Sequence, residues 1–214
     1  MLSDREMDHS VCRDAWSSDI SRDRAANFDT RFPDCCCETH SLKSDVPGVG
    51  GQELIARIFT TPESYNRNTK EVVWDKLVRA FSDGLSMFRS GCSECQIRNA
   101  VERLTKGGAE INELAGVALI PVEKVRKLGD PCRWFCVYDT ESADFSFHTD
   151  LIATRTDHNL SRNKQKLQKN ERLRVLRDEF MSYFVSSSSV DDLIYQLRKR
   201  NFEIISINEG DCCR

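Results

Sequence analysis

The sequence predicts an α+β fold: one compact domain over residues 48–214, in which a small mixed sheet packs with about five to six helices, behind a disordered N-terminal arm over residues 1–47. Three observations lead there. A chain of 214 residues suits one domain with a tail better than two full domains. Beyond residue 48, apolar residues recur at helical spacing in some segments and in short runs of strand length in others. Before it, Ser, Asp and Arg dominate, no helical or strand period persists, and too little apolar surface is present to offset the entropy of ordering.

Taken in order, Gly48 to Gly51 forms a flexible joint, and Glu53, Leu54, Ile55, Arg57, Ile58 and Phe59 suit a short helix ending near Pro62. Val72, Val73, Trp74, Leu77, Val78 and Phe81 suit a second helix, closed by the Ser82-Asp83-Gly84 turn. Leu85 to Arg89 reads as a strand. Ser93 followed by Gln96 is a capping-box pattern that opens a helix with the stripe Ile97, Val101, Leu104, stopped by Gly107-Gly108. Val117 to Ile120 is a short strand, Pro121 opens a helix through Leu128 with Gly129 as terminator, and Trp134 to Tyr138 is another strand. Phe145 to Ile152 alternates and suits a strand or a loop returning to one. Ser161 to Phe184 carries the longest helical pattern. Ser189 with Asp192 opens a helix running to about Arg200, and Phe202 to Ile207 is the last strand.

Composition narrows the function classes. No stretch approaches the roughly 20 apolar residues that span a bilayer, and residues 1–20 lack the basic start and apolar run of a secretion signal, so a cytoplasmic protein without a membrane partner is expected. In that setting the ten cysteines are expected mostly as thiols, metal ligands or small buried residues, with disulfides the exception. The net charge of −3 is uneven: residues 1–47 carry six Lys and Arg against ten Asp and Glu, and the remainder is close to neutral. A near-neutral domain argues against a protein built wholly around polyanions but allows a local basic patch.

Four features could carry chemistry. Cys92-Ser-Glu-Cys95 straddles a helix start, where amide N–H groups favour a thiolate, and so suits a redox or zinc regulator. Its partners for a four-cysteine site, Cys132 and Cys136, would stand about 13 Å apart on one strand face, too far to share an ion unless the strand bends. Cys35-Cys36-Cys37 near His40 reads as a flexible thiol cluster. Period-two alternation puts Ser146, His148 and Asp150 on one strand face, where a histidine and a carboxylate could act as a base and its orienter. Arg57 and Arg89 interrupt apolar segments, as structural ion pairs do, and as anion-binding arginines also do.

The basic run is the clearest charge feature. Arg155, Arg162, Lys164, Lys166, Lys169, Arg172, Arg174 and Arg177 face only Asp157 and Glu171 between them. At helical spacing Arg162, Lys166 and Lys169 fall on the side of Leu173, Leu176, Phe180 and Phe184, so the basic half should project beyond the core that buries the apolar half.

The ordered series Glu53-Leu-Ile-Ala-Arg57-Ile-Phe, Leu85-Ser-Met-Phe-Arg89, the segment 117–128 and His148-Thr-Asp-Leu-Ile152 resembles a group of small uncharacterised bacterial proteins, over about residues 50–180. The resemblance implies a boundary near Gly50 and draws attention to Arg57, Ser86, Arg89 and His148. It brings no activity with it, and Thr149 stands where the group has a small residue after the histidine.

The expected function is a non-enzymatic bacterial interaction or regulatory protein, of the kind carried by mobile elements, that binds a protein or nucleic acid through Arg162, Lys166, Lys169 and Arg172 and needs no cofactor. The first alternative is a hydrolase, nuclease or nucleotide-transfer enzyme in which Arg57 and Arg89 hold phosphate while His148 and Asp150 move a proton. The second is the redox or zinc regulator at Cys92 and Cys95.

Overall fold

The computed structural model describes residues 9–44, 47–106, 112–140, 147–154 and 160–205. In chain order the elements are α1 (His9–Ser18), α2 (Arg24–Arg31), β1 (Leu54–Thr61), β2 (Tyr65–Asn66), β3 (Glu71–Val72), a 3-10 helix (Trp74–Phe81), β4 (Leu85–Arg89), β5 (Cys92–Ser93) and α3 (Glu94–Lys106). There follow β6 (Glu113–Pro121), α4 (Val122–Arg126), β7 (Phe135–Asp139), β8 (His148–Ala153), α5 (Arg162–Ser182), β9 (Phe184–Ser186), α6 (Val190–Lys199) and β10 (Ile204–Ile205). The fold is α+β.

The sheet expected as small and mixed has six strands in the order β7-β8-β4-β1-β6-β9, paired antiparallel throughout. The parallel pairing among the described strands is the short β5–β10 contact. Both faces of the large sheet are covered. Ile55 and Phe59 of β1, with Phe135 and Val137 of β7, join the cluster under α5, α4 and the 3-10 helix. Ala56 and Ile58 point the other way, beneath α3 and α6. Cys136, Tyr138 and Ile152 share that second face and are covered by Trp16, Phe28 and Phe32 of the N-terminal segment.

Burial on both faces explains why residues 54–59 lie in strand β1 rather than in the expected helix. A strand covered on both sides needs a near-continuous apolar run, and over so few residues that run imitates a helical stripe. Pairing with β6 on one side and β4 on the other settles the choice. Gly116, at φ +156°, lies where β6 meets β9, and a Cβ there would collide with the Val185 carbonyl. The helix expected over residues 72–81 is the 3-10 helix Trp74–Phe81. Of the last strand, expected over residues 202–207, Ile204 and Ile205 are strand and residues 206 and 207 lie outside the described residues, as do Gly107, Gly108, Ser146 and Arg155.

The helix caps follow the sequence closely. The Ser93 amide donates to Gln96 Oε1 while the Gln96 amide donates to Ser93 Oγ, and the Asp192 amide donates to Ser189 Oγ. Each arrangement satisfies an otherwise orphaned amide at a helix start.

Of the segment expected as an arm, residues 1–8 lie outside the described residues. From residue 9 it forms α1 and α2, with Cys12, Trp16, Ala25, Phe28 and Leu42 buried. Its later part covers β7, the outer strand of the sheet: the Leu42 amide donates to the Asp139 carbonyl and Glu38 accepts from the Val137 amide at 2.5 Å. Glu38 is buried and also meets Arg126 at 3.0 Å and Arg133 at 2.6 Å. An uncovered strand edge invites pairing with other chains, and this segment removes that exposure. Against the expectation of thiols, two disulfides join it to itself and to the sheet, Cys12–Cys37 and Cys35–Cys136. The second spans 101 residues, a proximity created by the sheet and invisible in spacing. Among the described residues no helix is long and apolar enough to cross a membrane.

Candidate functional site

Helix α5 has 21 residues, about 31 Å of helix. Its C-terminal half buries Leu173, Leu176 and Phe180, and its N-terminal half runs past the core, leaving Arg162, Lys164 and Lys166 exposed and Lys169 half-buried. These four cations have no ion pair among the described residues, whereas Arg174 and Arg177 farther along both reach Asp178. The first turn contains no carboxylate, and the N-cap Ser161 accepts no hydrogen bond through its side chain. Cations beside the positive end of a helix dipole are unfavourable by about 0.3–1 kcal/mol each at low salt, and a bound anion would reverse that sign.

Arg162, Lys166 and Lys169 form one wall of a cleft of about 520 Å³. Ala26 and Thr30 of α2 also line it, and Phe81 and Ala153 are apolar residues of the lining. The Lys169 ammonium lies 4.9 Å from the Phe81 ring centroid, close enough for the ring's negative face to hold it. Nothing in the basic run signalled this aromatic, because Phe81 arrives from the 3-10 helix. Thr30 and Ala26 come from the segment expected as an arm, so spacing within residues 155–177 could not have found them either.

Arg172, expected with the other basic residues, is instead 4 % exposed. Its Nη1 donates to the Thr154 carbonyl at 2.6 Å, and its guanidinium lies 5.6 Å from the Trp134 ring. Burial pulls its pKa below the usual arginine value. Arg172 fastens α5 to the end of β8.

The structure links His148 and Asp150 through Thr140. Thr140 Oγ1 donates to Asp150 Oδ2 at 2.9 Å and lies 2.8 Å from His148 Nδ1. A hydroxyl has one proton, so with that proton on the carboxylate, Thr140 accepts from His148 Nδ1–H, and in the neutral ring Nε2 is left as the basic nitrogen. Gly84, at φ +96°, lies so close to Asp150 that a side chain there would press on the carboxylate.

The two arginines do not complete that group. His148 pairs in register with Phe88, so Arg89, the next residue, points to the opposite face of β4. There it is bound to Glu53 at 2.8 Å and to the fully buried Asp139 at 2.5 Å. The β1–β4 pairing ends at Ala56 and Phe88, and Arg57 Nη1 donates to the Ser86 carbonyl at 2.5 Å. Burial, with Arg79 nearby adding to it and Asp150 opposing it, lowers the Arg57 pKa to about 10. Arg57 therefore stays charged at neutral pH and feels Asp150, while Arg89 serves an ion-pair network.

Cys92 is 1 % exposed, and burial pushes its thiol up to about 12. Cys95 is half-buried on α3, Cys132 is exposed, and Cys136 is in a disulfide. Among the described residues no group of three or more His, Cys, Asp or Glu side chains is placed to hold a metal ion. On native alkylation with iodoacetamide at pH 8, Cys132 is expected to react first among the cysteines of the described residues, and Cys92 only on unfolding, because access and the thiolate form both govern reaction. Peptide mass spectrometry reads the order, and early modification of Cys92 would restore a reactive role for it.

Comparison with known proteins found no matching family model, no matching curated protein and no matching solved structure.

Proposed function

We propose that this protein is a non-enzymatic interaction protein that binds nucleic acid through its phosphates, using the N-terminal half of α5. The observation that carries the reading is the set of Arg162, Lys164, Lys166 and Lys169 on successive turns of one projecting helix, without an ion pair among the described residues. Unneutralised cations along about two turns can each replace a condensed counterion on a phosphate backbone. Arg172 is excluded from this role by its burial. Outside α5, residues 48–214 carry 18 Lys and Arg against 21 Asp and Glu, which confines the attraction to the helix and its cleft.

The test is binding of the full chain to labelled DNA and RNA across a salt series, beside the charge reversal R162E/K166E/K169E. Wild-type affinity is expected to fall steeply with salt. The variant should lose about 100-fold at low salt and show a shallower salt dependence, with its circular dichroism unchanged. Absence of wild-type binding at low salt would overturn the reading, and so would full binding by the variant.

A further inference from the structure

We infer that the cleft beside α5 receives one nucleotide of a single-stranded nucleic acid, and that the protein therefore prefers single strands to duplex. The inference rests on the phosphate-binding reading above and adds the form of the nucleic acid. Basic residues on a convex helix would touch any phosphate backbone alike. Here they wall a concavity of about 520 Å³, within the range of roughly 300–1,000 Å³ typical of small-ligand sites.

The charge in that concavity is one-sided. Arg162, Lys166 and Lys169 stand along α5, whereas Ala26, Phe81 and Ala153 are apolar. A nucleotide divides in the same way, into an anionic phosphate and a flat, largely apolar base. Lys169 marks the junction, since its ammonium is held at the Phe81 ring 4.9 Å from the centroid while its neighbours line the basic wall. With the phosphate between Arg162 and Lys166, the base comes to rest towards Phe81 and Ala153. Asp29 also lines the cleft from α2, and its carboxylate repels phosphate from that side, so one orientation is favoured.

Duplex cannot use this arrangement. Its bases are stacked and paired inside the phosphate ridges, so a duplex reaches the rim cations and leaves the cleft unfilled, whereas a single strand can turn a base out at little cost.

The experiment compares fluorescence anisotropy of a labelled single-stranded DNA of about 12 nucleotides with the same sequence annealed to its complement, at matched low salt. Three forms of the full chain are used: wild type, T30W and A26F. Thr30 is exposed and Ala26 half-buried on α2, so both substitutions fill the cleft from an element other than the one that carries the cations and remove no charge. The wild type is expected to bind the single strand about tenfold or more tightly than duplex. The cleft-filled variants should lose that preference and keep the duplex affinity, which also shows that they are folded. Equal wild-type affinity for the two forms overturns the inference while leaving the phosphate-binding reading in place, as does a preference that survives in both variants. No binding of either form removes the phosphate-binding reading itself, and this inference with it.

Discussion

Replacing Cys35 and Cys136 together with alanine is expected to lower stability by about 4–5 kcal/mol, the chain-entropy value for a closed loop near 100 residues. The loop here spans 101 residues and joins the N-terminal segment to β7. Among the described residues no other bond ties such distant parts covalently, since Cys12–Cys37 spans 25 residues within the segment. The segment keeps other holds on the sheet. Trp16, Phe28 and Tyr138 pack in one buried cluster, and Glu38 carries Arg126 and Arg133. The variant should therefore fold but loosen first at its N-terminus.

Urea unfolding of the variant, and of the wild type with and without reductant, measures the energy. Hydrogen exchange at α1 and α2 locates the loosening. An unchanged midpoint in the variant and in reductant would show that the buried apolar contacts alone hold the segment. Because α2 supplies one wall of the cleft, the same change should also weaken the preference for single strands, joining a stability effect to a functional one.

The second large effect is expected for Arg89→Ala, a loss of about 3–5 kcal/mol. Removing the guanidinium leaves Asp139 with no exposure and Glu53 with 18 % side-chain exposure, both deprived of their cation. The penalty is chiefly that of leaving buried charge uncompensated, so it exceeds what a surface pair of the same length contributes. Arg89→Lys should recover only part, because a point charge cannot reproduce the forked contact with both Glu53 oxygens. Denaturant unfolding of the two variants tests this. If Arg89→Ala were as stable as the wild type yet lost a catalytic activity, the arginine would belong to a phosphate site and the enzyme alternative would regain its anchor.

Local chemistry made some elements legible in advance. Ser93 with Gln96, and Ser189 with Asp192, mark helix starts because the side chain that satisfies an amide lies within three residues of it. Leu85 to Arg89 and Trp134 to Tyr138 read as strands for a related reason: β-type residues are bounded by turn residues close by. The projecting basic half of α5 was legible too, since Arg162, Lys166 and Lys169 share a face by helical spacing alone.

Where the deciding partner lies far along the chain, the outcome belongs to the tertiary structure. Residues 54–61 carry an apolar run compatible with helix or strand, and β6, more than fifty residues later, makes them a strand. Separations of 101, 95, 50 and 18 residues lie between Cys35 and Cys136, Glu38 and Arg133, Arg89 and Asp139, and Arg172 and Thr154. The sequence by itself determined which segments have a hydrophobic face and where the positive charge is concentrated. Only the packed sheet decided which charges are neutralised, which cysteines meet and that the basic helix borders a cleft, because those outcomes depend on contacts whose loop-closure entropy is offset only once the whole core has formed.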